Sequence, residues 1–151
     1  MPIPEIKAEV LANKLIAKDV YETTFKMIEP SLLDFKAGQH LIFEINSRAV
    51  RQYSIASGPS GAVSGNRDIF ELCADVSPAG PGSQYIASLK AGDVVACRGP
   101  WGWFVLSDKN LPRKVFIATG VGITPLRSMI LDLYERSCGF GSRLKGIFAG
   151  E

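Results

Sequence analysis

Arg51-Gln52-Tyr53-Ser54-Ile55-Ala56-Ser57 is the stretch that sets the reading of the whole chain. On a strand the side chains alternate, so Arg51, Tyr53 and Ile55 share one face and Gln52, Ser54 and Ala56 the other. An arginine and an aromatic ring then stand one above the other. A guanidinium grips a phosphate through two hydrogen bonds, and a phenol ring offers a flat surface to a planar heterocycle. The pair suits a nucleotide-like ligand. On these residues alone it suits equally well a surface Arg-Tyr pair on a barrel strand.

Around this stretch, residues 8 to 106 read as short β-rich runs separated by glycine, proline and charged turns. Strands are expected at 8–17, 21–28, 40–45, 50–57, 69–76 and 93–97, with two-residue alternation in Leu41, Phe43, Ile45 and in Tyr21, Thr23, Phe25. The fold class that follows is mainly β: a six-stranded antiparallel Greek-key barrel, whose closure leaves few unprotected edges. One short helix is expected over 83–89, with Tyr85, Ile86 and Leu89 on one face and Lys90-Ala91-Gly92-Asp93 as its stop. The glycine- and serine-rich segment 58–68 reads as an exposed connection able to cover a ligand.

The pattern changes after Leu111-Pro112. A compact apolar strand is expected at 115–118, then a glycine turn and a helix from about Thr124 with Pro125 at its first position. Leu126, Met129, Ile130, Leu133 and Tyr134 fall on one helical stripe, and 144–149 reads as the next strand. This is the opening of a parallel α/β unit. The expected division is a β-barrel domain over 1–111 and an incomplete α/β (βαβ) segment over 112–151.

Composition narrows the function classes. A net charge of +2, scattered along the chain, offers no basic groove for nucleic acid. With 46% hydrophobic and 21% charged residues the chain can bury a core. No apolar run approaches the roughly 18 residues of a membrane helix and the first ten residues do not form a secretory signal, so the expected compartment is the cytoplasm with no membrane role. Cys73, Cys97 and Cys138 are odd in number and widely spaced, which suggests neither a disulfide framework nor a metal ligand set. His40 is the only histidine, leaving a Ser-His-Asp triad one possible base in an unpromising context. It is expected to be an ordinary hydrogen-bonded residue, Trp101, Trp103 and Phe104 to close a barrel end, and Cys97 and Cys138 to act as small apolar groups.

Two further stretches could hold a ligand. Gly80-Pro81-Gly82-Ser83 leads into the short helix, where free N–H groups, a hydroxyl and glycines can form an anion site, although serine and glycine also begin many helices that bind nothing. Thr119-Gly120-Val121-Gly122-Ile123-Thr124-Pro125 joins a strand to a helix, where glycines bring a ligand close to the helix start; it lacks the third glycine of the dinucleotide fingerprint.

Their order carries more than any one of them. RQYSIAS, Leu72-Cys73-Ala74-Asp75-Val76, GPGS, Leu89-Lys90-Ala91-Gly92-Asp93, Gly99-Pro100-Trp101-Gly102-Trp103-Phe104 and TGVGITP resemble, in sequence, the RxYSxxS, CV-containing strand, GxxS, LxxGD, GPxGxF and TGxGxxP patterns of the ferredoxin-NADP reductase superfamily. The resemblance covers nearly the whole chain. It implies that Arg51 binds the flavin pyrophosphate, that Tyr53 stacks on the isoalloxazine, and that Ser54 places its hydroxyl near the hydride-accepting nitrogen as the catalytic residue. It further implies that Cys73, Ala74 and Val76 meet the flavin largely through backbone, that Gly80, Pro81, Gly82 and Ser83 hold the pyrophosphate, and that Thr119, Gly120 and Gly122 lie beside the nicotinamide. No metal site is implied. The cofactor is FAD, ahead of FMN by family frequency, with NAD(P)H as co-substrate.

Asp75 stands where plant-type members carry a lysine that helps bind the phosphorylated nucleotide, so this position gives no support to NADP over NAD. Complete members continue for several more strands, and the sequence therefore reads as the barrel plus a truncated start of the nicotinamide-binding domain. The implied function is a flavin-dependent oxidoreductase moving electrons between NAD(P)H and a redox partner such as ferredoxin or another electron carrier. The alternatives are a flavin-binding module that needs a partner chain to complete the nicotinamide site, and an electron-transfer subunit serving an iron-sulfur partner.

Overall fold

The computed structural model describes residues 3–47, 49–61, 66–107 and 113–138. Six strands form as the alternation predicts: β1 (Glu5–Ala17), β2 (Val20–Glu29), β3 (His40–Asn46), β4 (Ala49–Ser54), β5 (Ile69–Asp75) and β6 (Val94–Trp101). They pair in the order β4-β3-β6-β1-β2-β5, every ladder antiparallel. The two outer strands meet at an isolated Ile55–Leu72 bridge, and the Ala56 N–H donates to the Glu71 carbonyl at 2.7 Å. Those bonds close the sheet into a barrel.

Strand β4 ends three residues earlier than expected, because beyond Ser54 the backbone leaves β3 to make this closure. Strand β6 runs four residues further, through Gly99-Pro100. Its ladder with β1 stops at Arg98, so the missing N–H of Pro100 interrupts nothing on that side.

The interior fills with the inward residues of the alternation. Phe25 and Phe70 stack with centroids 4.9 Å apart, Phe43 tilts against Phe25, and Ile6, Val10, Leu41, Ile55 and Leu72 complete the layer. Each such side chain contributes about 1.5–3 kcal/mol by leaving water. Helix α1 (Pro81–Ser88) inserts Ile86 into this core. Its last turn is held by the Asn13 amide, which donates to the Ile86 and Leu89 carbonyls at 2.8 and 3.0 Å and accepts from the buried Thr23 hydroxyl at 2.8 Å. The Ile86 carbonyl also accepts from the C-cap Leu89 N–H at 3.3 Å, and the β1 side chain adds a bond to each of the two carbonyls.

A short 3-10 turn, Gly120–Gly122, precedes helix α2 (Ile123–Cys138), the longer of the two helices. Neither is long and apolar enough to cross a membrane. Four expectations change here. Residues 115–118 form no strand: they have no ladder partner among the described residues, and Val115 and Ile117 stand 83% and 87% exposed. A strand needs a neighbour for its backbone, and the one expected at 144–149 lies outside the described residues, as do the 111–112 boundary and the Cys138 side chain.

Trp103 and Phe104 do not close the barrel: they follow the end of β6 at Trp101 and stand 88% and 61% exposed. The segment after β4 is not simply an exposed cover either. Gly58 and Gly61 are buried, and Gly58 lies against Leu131 of α2. Finally, α2 buries Thr124, Ser128, Leu131 and Asp132 together with Leu126 and Met129, while Ile130, Leu133 and Tyr134 are only half-buried. An apolar stripe predicts the docking face when the partner surface is apolar. Here the barrel presents carbonyl groups, which turn the helix toward its polar side.

Candidate functional site

The face of β4 that carries Arg51 and Tyr53 looks toward the start of α1. Tyr53 packs edge-on against Phe43 with centroids 5.7 Å apart, which holds the ring upright at the barrel rim. A side-chain carbon built at Gly82 would fall 2.7 Å from the Tyr53 hydroxyl and 2.7 Å from Arg51 Cγ. Arg51, Tyr53 and the helix start thus converge on one place, and only a residue without a side chain fits between them. The Arg51 guanidinium is exposed and donates to the Val50 carbonyl at 2.8 Å, leaving its remaining donors directed outward.

At the helix start Gly80 is the N-cap, no side chain caps the first turn, Pro81 follows, and no acidic residue lies in that turn. The first N–H groups of a helix have no partner within it and carry the positive end of its dipole. Two glycines let a ligand reach them, and the half-buried Ser83 adds a hydroxyl. Burial raises the Tyr53 pKa against the opposing pull of the Arg51 charge, so the ring stays a neutral phenol at physiological pH.

Ser54 faces the other way. Its cross-strand partner is His40, and because the Ile55 N–H donates to the Gln39 carbonyl at 3.0 Å, this is a non-hydrogen-bonded pair, the type whose side chains stand closest. The imidazole is covered by Gly102, where φ is +112° and an added carbon would lie 2.8 Å from His40 Nδ1. Its Nε2 is buried and finds no partner among the described residues, which corrects the expectation of an ordinary hydrogen-bonded histidine.

Cys73 and Ala74 pair with Glu22 and Tyr21 across the β2–β5 ladder. The Ala74 methyl belongs to the core, so only its backbone can reach a ligand. The Val76 N–H is committed to the Asp19 carbonyl at 2.7 Å. Burial, with the Glu22 carboxylate next, raises the Cys73 thiol to about 11, and burial raises that of Cys97 to about 12. Neither thiol is a nucleophile, and Cys97 fills a core position as expected. Asp75 is exposed, and hydrogen bonds from the Ser77 hydroxyl and then from the Ser77 N–H, the latter at 2.8 Å, lower its pKa.

Thr119, Gly120 and Gly122 sit at the turn before α2, which packs beside β5. A carbon at Gly120 or Gly122 would meet nothing within 4 Å among the described residues, so this part of the site has an open side.

The barrel just described coincides with a family model. Residues 7–106 match that of the oxidoreductase FAD-binding domain. The chain belongs to this family. Among curated proteins, it is 30% identical over 145 residues to the reductase component of propane 2-monooxygenase from Mycolicibacterium goodii, a match covering 95% of this chain and 40% of that protein. It is 33% identical over 127 residues to ferredoxin--NADP reductase B from Sorangium cellulosum, covering 82% and 50%. Among solved structures, the Amycolatopsis cytochrome P450 reductase GcoB superposes with a TM-score of 0.78 at 29% identity, over 90% of this chain and 40% of that one. The chain therefore spans half or less of the length of these relatives.

The cofactor of this FAD-binding domain suits the residues present. A diphosphate requires cationic and amide donors close together, and Arg51, whose stem packs against Gly82, and the uncapped α1 start meet that requirement. Sequence reasoning missed three groups that shape the domain. Asn13 holds α1 by its last turn. Arg127 and Ser128 of α2 reach the Ala56 and Ser57 carbonyls just past the end of β4. Polar residues beside an apolar stripe read as solvated, and only the fold shows what they meet.

Proposed function

We propose that this chain is the FAD-carrying portion of an oxidoreductase that moves electrons between NAD(P)H and a redox partner such as ferredoxin or another iron-sulfur carrier. One observation carries the reading: Arg51 and Tyr53 of β4 meet Gly82 of α1, a separate element, at one point. In this reading Arg51 binds the FAD diphosphate from one side, while Gly80, Gly82 and Ser83 bind it from the other through N–H groups and the Ser83 hydroxyl, with Pro81, which has no N–H, bordering it at the helix start. Tyr53 presents its ring to the isoalloxazine. Ser54 places a hydroxyl at the reactive edge, and Cys73, Ala74 and Val76 border the flavin along their backbone.

Bound FAD supplies the redox chemistry, accepting two electrons together and releasing them singly. The protein contributes position and exclusion of water. Thr119, Gly120 and Gly122 form one wall for the nicotinamide, and the functional boundary falls between a flavin unit, 1–111, and a nicotinamide unit beginning at 112. The proposed compartment is the cytoplasm, where the free thiols of Cys73 and Cys97 remain reduced.

The open side at Gly120 and Gly122 favours a second reading, in which the wall opposite this turn comes from further polypeptide and the residues described bind FAD without being reduced by themselves. Flavin titration followed by anaerobic stopped-flow with NADH and NADPH tests both. FAD binding with rapid bleaching of the flavin band supports the reductase, and FAD binding without bleaching supports the module. A chain that neither quenches FAD fluorescence nor retains the flavin overturns both.

A further inference from the structure

The contact between α2 and the barrel is polar, directional and threaded between the two halves of the proposed site. Arg127 Nη1 uses its two hydrogens on acceptors from two segments, the Ala56 carbonyl just past β4 at 2.8 Å and Glu71 Oε2 of β5 at 2.8 Å. The Ser128 hydroxyl, fully buried, donates to the Ser57 carbonyl at 2.7 Å. The acceptors are themselves tied together: the Ala56 N–H donates to the Glu71 carbonyl at 2.7 Å, and the Glu71 N–H to Ser57 Oγ at 3.2 Å. One helical turn earlier, the buried Thr124 hydroxyl donates to the Val121 carbonyl at 2.7 Å, fixing the glycine turn to the same helix.

We propose that Arg127, with Glu71 and Ser128, is a positioning device that sets the Thr119–Gly122 turn at a defined place relative to the end of β4, and so sets the approach of the nicotinamide to the flavin edge beside Ser54. The inference rests on the functional reading above and adds residues to which that reading gives no role. Ala56 and Ser57 follow Ser54 by two and three residues, and Val121 precedes Thr124 by three. The device therefore links two ligand-facing segments through one turn of helix, about 5.4 Å.

Stability alone does not explain this choice of residues. A half-buried ion pair loses much of its attraction to the desolvation of both charges, and apolar groups of similar volume commonly serve as well or better. Hydrogen bonds to two fixed carbonyls and a carboxylate do what apolar packing does not: they fix the rotation and the height of the helix on the barrel.

The test uses the FAD-loaded full chain with Arg127→Ala, Arg127→Lys, and the paired change Arg127→Met with Glu71→Met, which removes both charges and keeps the volume. Three quantities are read: FAD affinity by fluorescence quenching, amide hydrogen exchange over residues 120–131, and the limiting rate of flavin reduction by NADH or NADPH separated from the nucleotide saturation constant. The expected result for Arg127→Ala is FAD affinity within about twofold of wild type, exchange about tenfold faster, and a limiting rate about tenfold lower. Arg127→Lys recovers part of the rate. The Met pair recovers thermal stability without recovering the rate, which a purely structural contact would not do.

Wild-type limiting rates in both Arg127→Ala and the Met pair overturn the inference and leave the functional reading intact. Loss of FAD binding in those variants overturns it too, by placing the contact in the flavin site itself. A wild-type chain that binds no FAD, or is reduced by neither nucleotide, counts against the functional reading and takes the inference with it.

Discussion

Gly82 and Tyr53 lie so close that a single methyl group cannot be added between them: the carbon would sit 2.7 Å from the phenol oxygen and equally near Arg51 Cγ. The first turn of α1 is thereby held directly against the rim of β4, beside the Arg51 side chain. Gly82→Ala pushes the Tyr53 ring and the arginine stem aside. FAD affinity is expected to fall about tenfold or more, while the melting temperature drops by only a few degrees because both displaced groups lie at the rim. Fluorescence titration beside a thermal melt checks this, and unchanged FAD affinity would show that the gap is unrelated to the cofactor.

Arg51 has a lighter structural role than ligand role. Its guanidinium donates to the carbonyl of its own neighbour, Val50, and the side chain is exposed. Arg51→Ala should therefore leave the urea midpoint of the cofactor-free chain nearly unchanged. A charge-assisted hydrogen bond contributes about 1.5–3 kcal/mol, so Arg51→Ala is expected to raise the FAD dissociation constant by roughly 10- to 100-fold, with Arg51→Lys falling between. FMN, which lacks the diphosphate, should be far less affected.

His40 predicts a pH dependence of stability. Burial lowers its pKa in the folded chain below the ordinary imidazole value, so the unfolded chain takes up the proton first. The contribution is fully present above the unfolded pKa of about 6.5 and is lost as pH falls through the folded value. Urea midpoints at about pH 7.5 and pH 5 should differ more for the wild type than for His40→Gln, since the carboxylates common to both cancel. Equal differences would show that the imidazole is already charged in the folded state.

The thiols of Cys73 and Cys97 should be unreactive. With pKa values raised to about 11 and about 12, they are almost wholly protonated near pH 8. In a Cys138→Ser background, labelling by a thiol-specific disulfide reagent is expected to be roughly a hundredfold slower than in urea, where both groups return to about 8.5. Rapid labelling of the folded chain would contradict the burial of both residues.

Phe25 stacks on Phe70 at the centre of the barrel and is fully buried. Phe25→Ala leaves a cavity between Phe70 of β5 and Phe43 of β3, at a cost of about 3–5 kcal/mol. Denaturant unfolding measures it directly, and a loss under 1 kcal/mol would mean that the core collapses to fill the space.

Much of this molecule was legible in its sequence because short-range physics wrote it there. The alternation of Leu41, Phe43 and Ile45, and of Tyr21, Thr23 and Phe25, specified strands with one buried face, and the ladders follow it. Gly80-Pro81-Gly82-Ser83 announced a helix start with open N–H groups, and α1 begins at Pro81. The ordered motifs identified the family that residues 7–106 match.

Only the tertiary structure decided the rest, since it concerns groups brought together from distant parts of the chain. Alternation places Arg51 and Tyr53 on one face but is silent on what faces them; closure of β4 onto β5 and insertion of Ile86 bring Gly82 there. The same closure leaves the Ala56 and Ser57 carbonyls pointing toward α2, which draws Arg127 and Ser128 inward although both sit 71 residues away. Periodicity reports the hydrophobicity of an element's own faces. It carries no information on carbonyl groups offered by another element, and that is why Arg127 and Ser128 joined Leu126 and Met129 in the docked part of α2.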